Sequence, residues 1–130
     1  EEKNPKMTNK KILIVDDNKL NIKVASRLLG KYNFKIDTAI SGKECIYKVK
    51  EGNNYDMIFL DHMMPEMDGI ETMHILRKLD GYNMPPIIAL TANAITGMKE
   101  MYLKEGFDEY LSKPINITEL DKLINKYFKK

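Results

Sequence analysis

The sequence predicts an α/β domain in which a five-stranded parallel sheet is covered by helices on both faces. Three observations carry that expectation. Five short apolar runs recur along the chain, each bounded by turn-forming residues and each followed by a segment with apolar positions at helical spacing. Strands that alternate with helices in this way cross over and run parallel, so both faces of their sheet are buried. A length of 130 residues with 43% hydrophobic content suits one core of that kind.

The first strand is expected at Lys11–Val15, a mostly β-branched run ended by the turn-prone Asp16, Asp17 and Asn18. A helical stripe follows through Leu20, Val24, Ala25, Leu28 and Leu29, with stop signals at Gly30 and Asn33. Phe34–Ala39 supplies the second strand, and Ser41 with Glu44 forms a capping box for a helix carrying Cys45, Ile46 and Val49, broken at Gly52. Met57–Leu60 is a fully apolar third strand ending at Asp61. Pro65 and Gly69 bracket the next loop, and Ile70, Met73, Leu76 and Leu79 give the third helical face. Pro85-Pro86 leads into the fourth strand, Ile87–Leu90, ending at Thr91. Met98, Met101, Tyr102 and Glu105 sit at helical spacing before Gly106. The fifth strand lies near Glu109–Ser112 and ends at Lys113-Pro114. Asn116 and Glu119 cap a last helix with Leu120, Leu123, Ile124 and Tyr127 on one side.

Composition narrows the function classes. Lys plus Arg number 21 and Asp plus Glu 19, a net charge of only +2, which argues against direct nucleic-acid binding by this domain. Cys45 is the single cysteine, so an intramolecular disulfide framework and a multi-cysteine zinc site are excluded, and a reducing, cytoplasmic setting is expected. No apolar stretch reaches the ~18–20 residues that span a bilayer, so no membrane contact is expected of this domain. Residues 1–10 are mostly polar and read as a linker or tail, with the domain proper at 11–130. The chain opens on Glu1 and so looks cut from a longer one; a membrane-anchored parent stays open.

In a doubly wound sheet, ligands bind at the carboxyl ends of the strands. The residues there are Asp16 and Asp17, Asp61, Thr91 and Lys113. Singly, each has a plain explanation: a turn or cap for the aspartates, packing for the threonine, a solvated charge for the lysine. Jointly they deliver three carboxylates, a hydroxyl and an ammonium to one rim. Crowded carboxylates repel, and a hard divalent cation relieves the repulsion; Mg²⁺ favours one or two carboxylates with waters and phosphate oxygens. Three carboxylates are balanced by one such ion and one lysine, and that site would accept a transferring phosphoryl group.

These residues, in order and spacing, resemble a response-regulator receiver domain. The resemblance covers Lys11 to Phe128 and rests on ILIVDDN at Ile12–Asn18, DMIFLDHMMPEMDG at Asp56–Gly69, IIALTANA at Ile87–Ala94 and EYLSKPI at Glu109–Ile115. It implies a flavodoxin-like doubly wound sheet of order 2-1-3-4-5 with five helices. It also implies that Asp61 is the phosphoacceptor and Mg²⁺ the cofactor. Asp17 would bind the ion directly, Asp16 through a water, with Asp61 and the backbone carbonyl of Met63 completing the set. Lys113 would pair with phosphoryl oxygens and Thr91 would hydrogen-bond another, the two acting with Asp61 as the catalytic group. Thr91 and Tyr110 would be the switch, and a cis peptide bond would join Lys113 to Pro114. Such a domain catalyses its own phosphorylation and dephosphorylation, taking the phosphoryl group from a histidine kinase or a histidine phosphotransfer domain. Met63 and Asn93 hold positions that tune hydrolysis in the family. Asn18 and Asn21 in DDNKLN, ALTANA and KPI look most like receivers of hybrid sensor histidine kinases, with a receiver joined to an output domain as the alternative. The partner surface is expected on the first helix around Ile22 and Ala25.

Rival classes lack their signatures. A flavin carrier needs a phosphate-cradling loop rich in Gly, Ser or Thr after the first strand, where this chain places two aspartates. A receiver that only binds protein would be marked by loss of Asp61 or Lys113. An aspartyl-phosphate hydrolase carries a second Asp two residues past its nucleophile, where Met63 stands. His62 and His74 are expected as surface histidines and Cys45 as a small buried hydrophobe. Met63, Met64 and Met67 would shield the site, with Met73 and Met98 in the core. Lys126, Lys129 and Lys130 form a solvated helix end.

Overall fold

The protein was analysed as a computed structural model that describes residues 9–92 and 98–128. Its elements are β1 (Lys11–Val15), α1 (Lys19–Gly30), β2 (Lys35–Ala39), α2 (Gly42–Lys50), β3 (Met57–Asp61), α3 (Gly69–Arg77), β4 (Ile87–Thr91), α4 (Met98–Glu105), β5 (Glu109–Ser112) and α5 (Ile117–Phe128). All strand pairs are parallel, and the sheet order is β2-β1-β3-β4-β5. The expected fold class and order hold. Of the expected linker, only Asn9 and Lys10 fall within the described residues, as do none of Asn93, Ala94, Lys129 and Lys130.

Strand alternation divides the core into two layers. Leu13 and Val15 of β1, Ile58 and Leu60 of β3, and Ile87 and Ala89 of β4 face Cys45, Val49, Met73, Leu76 and Tyr102 on α2, α3 and α4. Ile12 and Ile14, Met57 and Phe59, Ile88 and Leu90 face Ala25 and Leu29 of α1 and Leu120, Leu123 and Ile124 of α5. Successive side chains of a strand point to opposite faces, so a run that is apolar throughout serves both layers. Burying each large side chain contributes about 1.5–3 kcal/mol. That is why the central strands β1, β3 and β4 carry polar side chains only at their ends, Lys11, Asp61 and Thr91.

The helix starts follow local chemistry. Asn18 caps α1 by accepting from the amides of Leu20 and Asn21 at 2.9 and 3.2 Å. Ser41 Oγ accepts from Glu44 N at 3.0 Å, as the capping box requires, but the Glu44 carboxylate accepts from Ile40 N at 2.8 Å and not from Ser41. Asp68, which the sequence reading passed over, caps α3 through Glu71 N at 2.9 Å. Asn116 accepts from Glu119 N at 3.0 Å at the start of α5. Lys126, expected as solvated, is exposed and pairs with Glu109 of β5.

Candidate functional site

Because the connection after β1 runs to β2 on one side and the connection after β3 runs to β4 on the other, a crevice opens at the carboxyl ends of β1 and β3. Asp16 stands directly after β1, fixed by its amide to Ala39 O at 3.1 Å and by its Oδ1, which accepts from Asn18 N at 2.9 Å. Asp61 is the last residue of β3, and the next amide, His62 N, bonds Leu90 O of β4 at 2.9 Å. Lys113 N donates to Thr91 O at 2.8 Å, which brings the ends of β4 and β5 together. Gly69 N closes the loop on His62 O at 2.8 Å; a Cβ on Gly69 would lie 2.3 Å from Asp61 O, so only glycine fits there.

The structure brings Asp16, Asp17, Asp61 and Lys113 into one cluster. Carboxylate oxygens of the three aspartates lie within 4.8 Å of one another. Lys113 Nζ donates to Asp61 Oδ1 at 2.7 Å and to Asp16 Oδ2 at 3.2 Å. Asp16 and Asp61 are buried and Asp17 is exposed. Burial, with the neighbouring charges of Asp16 and Asp17, raises the Asp61 pKa even against the hydrogen bond and charge of Lys113. Burial also opposes the Lys113 charge, but Asp61 and Asp16 outweigh it and hold the ammonium above its ordinary value. One ammonium among three carboxylates leaves two negative charges unbalanced. Donors of this kind, all hard oxygens with one side open to solvent, fit a divalent cation such as Mg²⁺.

Thr91 ends β4 and is buried. Tyr110 on β5 is half-buried and stacks on Tyr102 of α4, ring centroids 5.5 Å apart. The Lys113–Pro114 peptide bond is cis. Met63 lies in the loop two residues past Asp61 with its side chain 70% exposed, whereas Met64 is buried in the core. A shield over the site is therefore not what Met64 forms; it packs under the loop. Met73 is buried, and Met98 is partly buried against the same core layer. Cys45 is buried, and burial pushes its thiol up to about 12. On α1, Ala25 packs into the core and Ile22 is half-buried; the exposed apolar residues of that helix are Leu20 and Val24. Asn93 lies outside the described residues.

His62 corrects the expectation of a surface histidine. Its side chain is 16% exposed, its Nδ1 lies 2.7 Å from the Tyr102 hydroxyl, and the two rings meet edge to face. Tyr102 is fully buried, and burial raises the pKa of its phenol, with the Thr91 hydroxyl lowering it in part. A histidine directly after the apolar third strand, and a tyrosine on the apolar stripe of the fourth helix, were visible in the sequence. Their pairing, 40 residues apart, was not. His74 does sit at the surface, beside Glu105.

The response regulator receiver domain model matches residues 12–125. Hybrid signal transduction histidine kinase L of Dictyostelium discoideum is 35% identical over 134 residues, covering 99% of this chain but only 8% of that protein. The chain thus spans a small fraction of the first relatives it matches. The Francisella response regulator 1452 receiver domain is 38% identical with a TM-score of 0.77, covering 93% of this chain and 98% of that one. A chain in the co-crystal structure of the Saccharomyces cerevisiae histidine phosphotransfer signalling protein Ypd1 and the receiver domain of its downstream response regulator Ssk1 is 30% identical with a TM-score of 0.78, covering 91% of this chain and 88% of that one. With a receiver fold, a matched family model over most of its length and an acidic rim at the strand ends, the chain belongs to the response regulator receiver domain family of two-component and phosphorelay signalling.

Proposed function

We propose that residues 11–130 form a phosphoacceptor domain that takes a phosphoryl group from a partner's histidine onto Asp61, with residues 1–10 as a linker. The observation that carries this reading is the cluster of three carboxylates within 4.8 Å with Lys113 Nζ 2.7 Å from Asp61. An Asp61 carboxylate oxygen attacks phosphorus, the phosphorus–nitrogen bond to the donor imidazole breaks, and the imidazole leaves with the bond's electron pair. Aspartate is a weak nucleophile, so the rate rests on alignment and on neutralising charge. Lys113 supplies one positive charge to the phosphoryl oxygens, and the Thr91 hydroxyl donates to another of them. Asp16, Asp17, Asp61 and the Met63 carbonyl would hold Mg²⁺, which when bound offsets the negative charge that gathers around the transferring group. Water later attacks the acyl phosphate, returning the carboxylate and releasing phosphate.

Phosphorylation adds a strongly charged group, and Thr91 with Tyr110 would carry that change to α4 and β5 as a two-state switch. The partner is a histidine kinase or a histidine phosphotransfer domain, and the exposed Leu20 and Val24 of α1 are the surface we assign to it. Among the described residues no helix is long and apolar enough to cross a membrane. A cytoplasmic domain within a hybrid histidine kinase is the setting best supported by its relatives, since the Dictyostelium protein is of that type.

Intact-mass measurement after incubation with acetyl phosphate and Mg²⁺ tests the acceptor. One phosphoryl group should be gained, and the gain should vanish in Asp61→Asn and without Mg²⁺. A gain that persists in Asp61→Asn removes Asp61 as the acceptor.

A further inference from the structure

His62 stands between Asp61 and Met63 and is gripped from several sides. Its amide donates to Leu90 O of β4 at 2.9 Å, and its carbonyl accepts from Gly69 N at 2.8 Å. Its ring Nδ1 lies 2.7 Å from the Tyr102 hydroxyl of α4, and Nε2 faces Asp68, the cap of α3, at 3.8 Å. The two rings meet at 88° with centroids 5.2 Å apart. On the α4 side, Tyr102 is the one buried side chain among the described residues of the helix. The far end of α4 is tied by polar contacts from α3: His74 Nε2 lies 3.1 Å from Glu105 O, and Arg77 donates to Gly106 O at 2.9 Å. A helix with so narrow a buried footprint takes its position from specific contacts of this kind. Tyr102 is fully buried, so water cannot replace its partner if the bond to His62 is lost. The loop after β3 and α4 therefore move together.

We propose that His62 is a positioning residue: through its bond with Tyr102, α4 fixes the backbone from Asp61 to Met63 and so sets the affinity of the acidic rim for Mg²⁺. This rests on the reading above, in which Asp61 and the Met63 carbonyl hold the ion. His62 offers no ligand of its own there; it carries the peptide units that join the two. Ligands held in place before the ion arrives bind it more tightly, because less freedom is lost on binding. Linkage makes the effect reciprocal: whatever free energy α4 lends to Mg²⁺ binding, the bound ion returns to the position of α4. The helix thus has a route to the rim through His62, separate from the one through Thr91 and Tyr110.

The test is titration of this chain with Mg²⁺ alone, followed by amide NMR. Tyr102→Phe keeps the ring and removes the hydroxyl; His62→Leu keeps the bulk and removes the nitrogen. Each should weaken Mg²⁺ binding about 2- to 10-fold, the range one neutral hydrogen bond supports. Combined in one chain, the two should cost no more than either alone, because both remove the same bond. His62→Asn places an amide near the Nδ1 position, with both a donor and an acceptor, and should restore most of the affinity. Tyr55→Phe is the control for general loosening. It also deletes a hydroxyl, one bonded to Asp37 at 2.6 Å, but at the opposite end of β3, and it should leave the affinity unchanged. If wild type binds Mg²⁺ and Tyr102→Phe binds it equally well or more tightly, the link to α4 is wrong and the acceptor reading stands. Additive losses in the double variant, no rescue by His62→Asn, or an equal loss in Tyr55→Phe also overturn it. If wild type fails to bind Mg²⁺, the reading of the rim falls and the link with it. Should Tyr102→Phe not fold, His62→Leu against His62→Asn decides the outcome.

Discussion

Replacing Lys113 with methionine removes a charge from a buried cluster while keeping most of the side chain's length and packing. Lys113 Nζ is 2.7 Å from Asp61 and 3.2 Å from Asp16, and its side chain is only 18% exposed. At an effective dielectric of about 20, each contact carries roughly 5–6 kcal/mol of gross attraction. Desolvation offsets much of that, and removing one partner of a buried pair costs about 3–5 kcal/mol. The variant has a way to limit the loss, by taking up a proton on Asp61. Protonating a carboxylate of ordinary pKa costs about 4 kcal/mol at pH 7 and about 1.5 kcal/mol at pH 5. The expected loss of stability is therefore about 3–4 kcal/mol at pH 7, shrinking as pH falls.

The sign follows from linkage. Asp61 already has a raised pKa from burial, and losing Lys113 raises it further, so the folded variant binds a proton that the unfolded chain has released. Its stability must fall as pH rises from the unfolded carboxylate range toward the folded value. In wild type, the raised pKa of Lys113 means its charge is lost only on the alkaline side, so Lys113 itself contributes no slope between pH 5 and 7. Urea unfolding of both proteins at pH 5, 6 and 7, followed by circular dichroism, measures the gap directly. Millimolar Mg²⁺ should narrow it by supplying the missing positive charge. A gap that stays constant or narrows with rising pH would refute the reasoning, because the loss would then come from packing and not from unbalanced carboxylates.

Three further outcomes are expected. Gly69→Ala places a Cβ 2.3 Å from the Asp61 carbonyl oxygen, an overpacking that should cost about 1–3 kcal/mol; a thermal midpoint matching wild type would show that the loop yields freely. Cys45 should resist maleimide labelling in native protein and react fully in urea, since burial lifts its thiol to about 12; rapid native labelling would contradict the packing of α2. Burial opposes the Asp37 charge, but hydrogen bonds from Tyr55 at 2.6 Å and Lys48 at 2.9 Å, with the Thr38 amide, hold its pKa down. Asp37 therefore stabilises the fold above the unfolded carboxylate pKa and loses that contribution as pH falls through its folded value. Carbon NMR of the Asp37 carboxyl should show a higher pKa in Tyr55→Phe, and an unmoved titration would rule out the tyrosine's share.

What the sequence determined by itself was everything set by short-range pattern. Central strands were legible because KILIV and MIFL are apolar on every residue that the two helix layers bury, and helix starts were legible where Ser41 and Asn116 bond amides three residues away. The placement of the candidate residues was legible for a related reason. A parallel sheet with short connections places every strand end on one rim, so Asp16, Asp61, Thr91 and Lys113 converge without any knowledge of side-chain contacts. Tertiary structure decided the rest. Only packing turned His62 inward onto Tyr102, buried Ala25 while leaving Leu20 and Val24 exposed, and put the backbone of Asp61 where Gly69 alone fits. Those facts depend on which residues from distant segments share a volume. A one-dimensional pattern records the period of a residue along its own element and not the neighbour that the opposite element will bring.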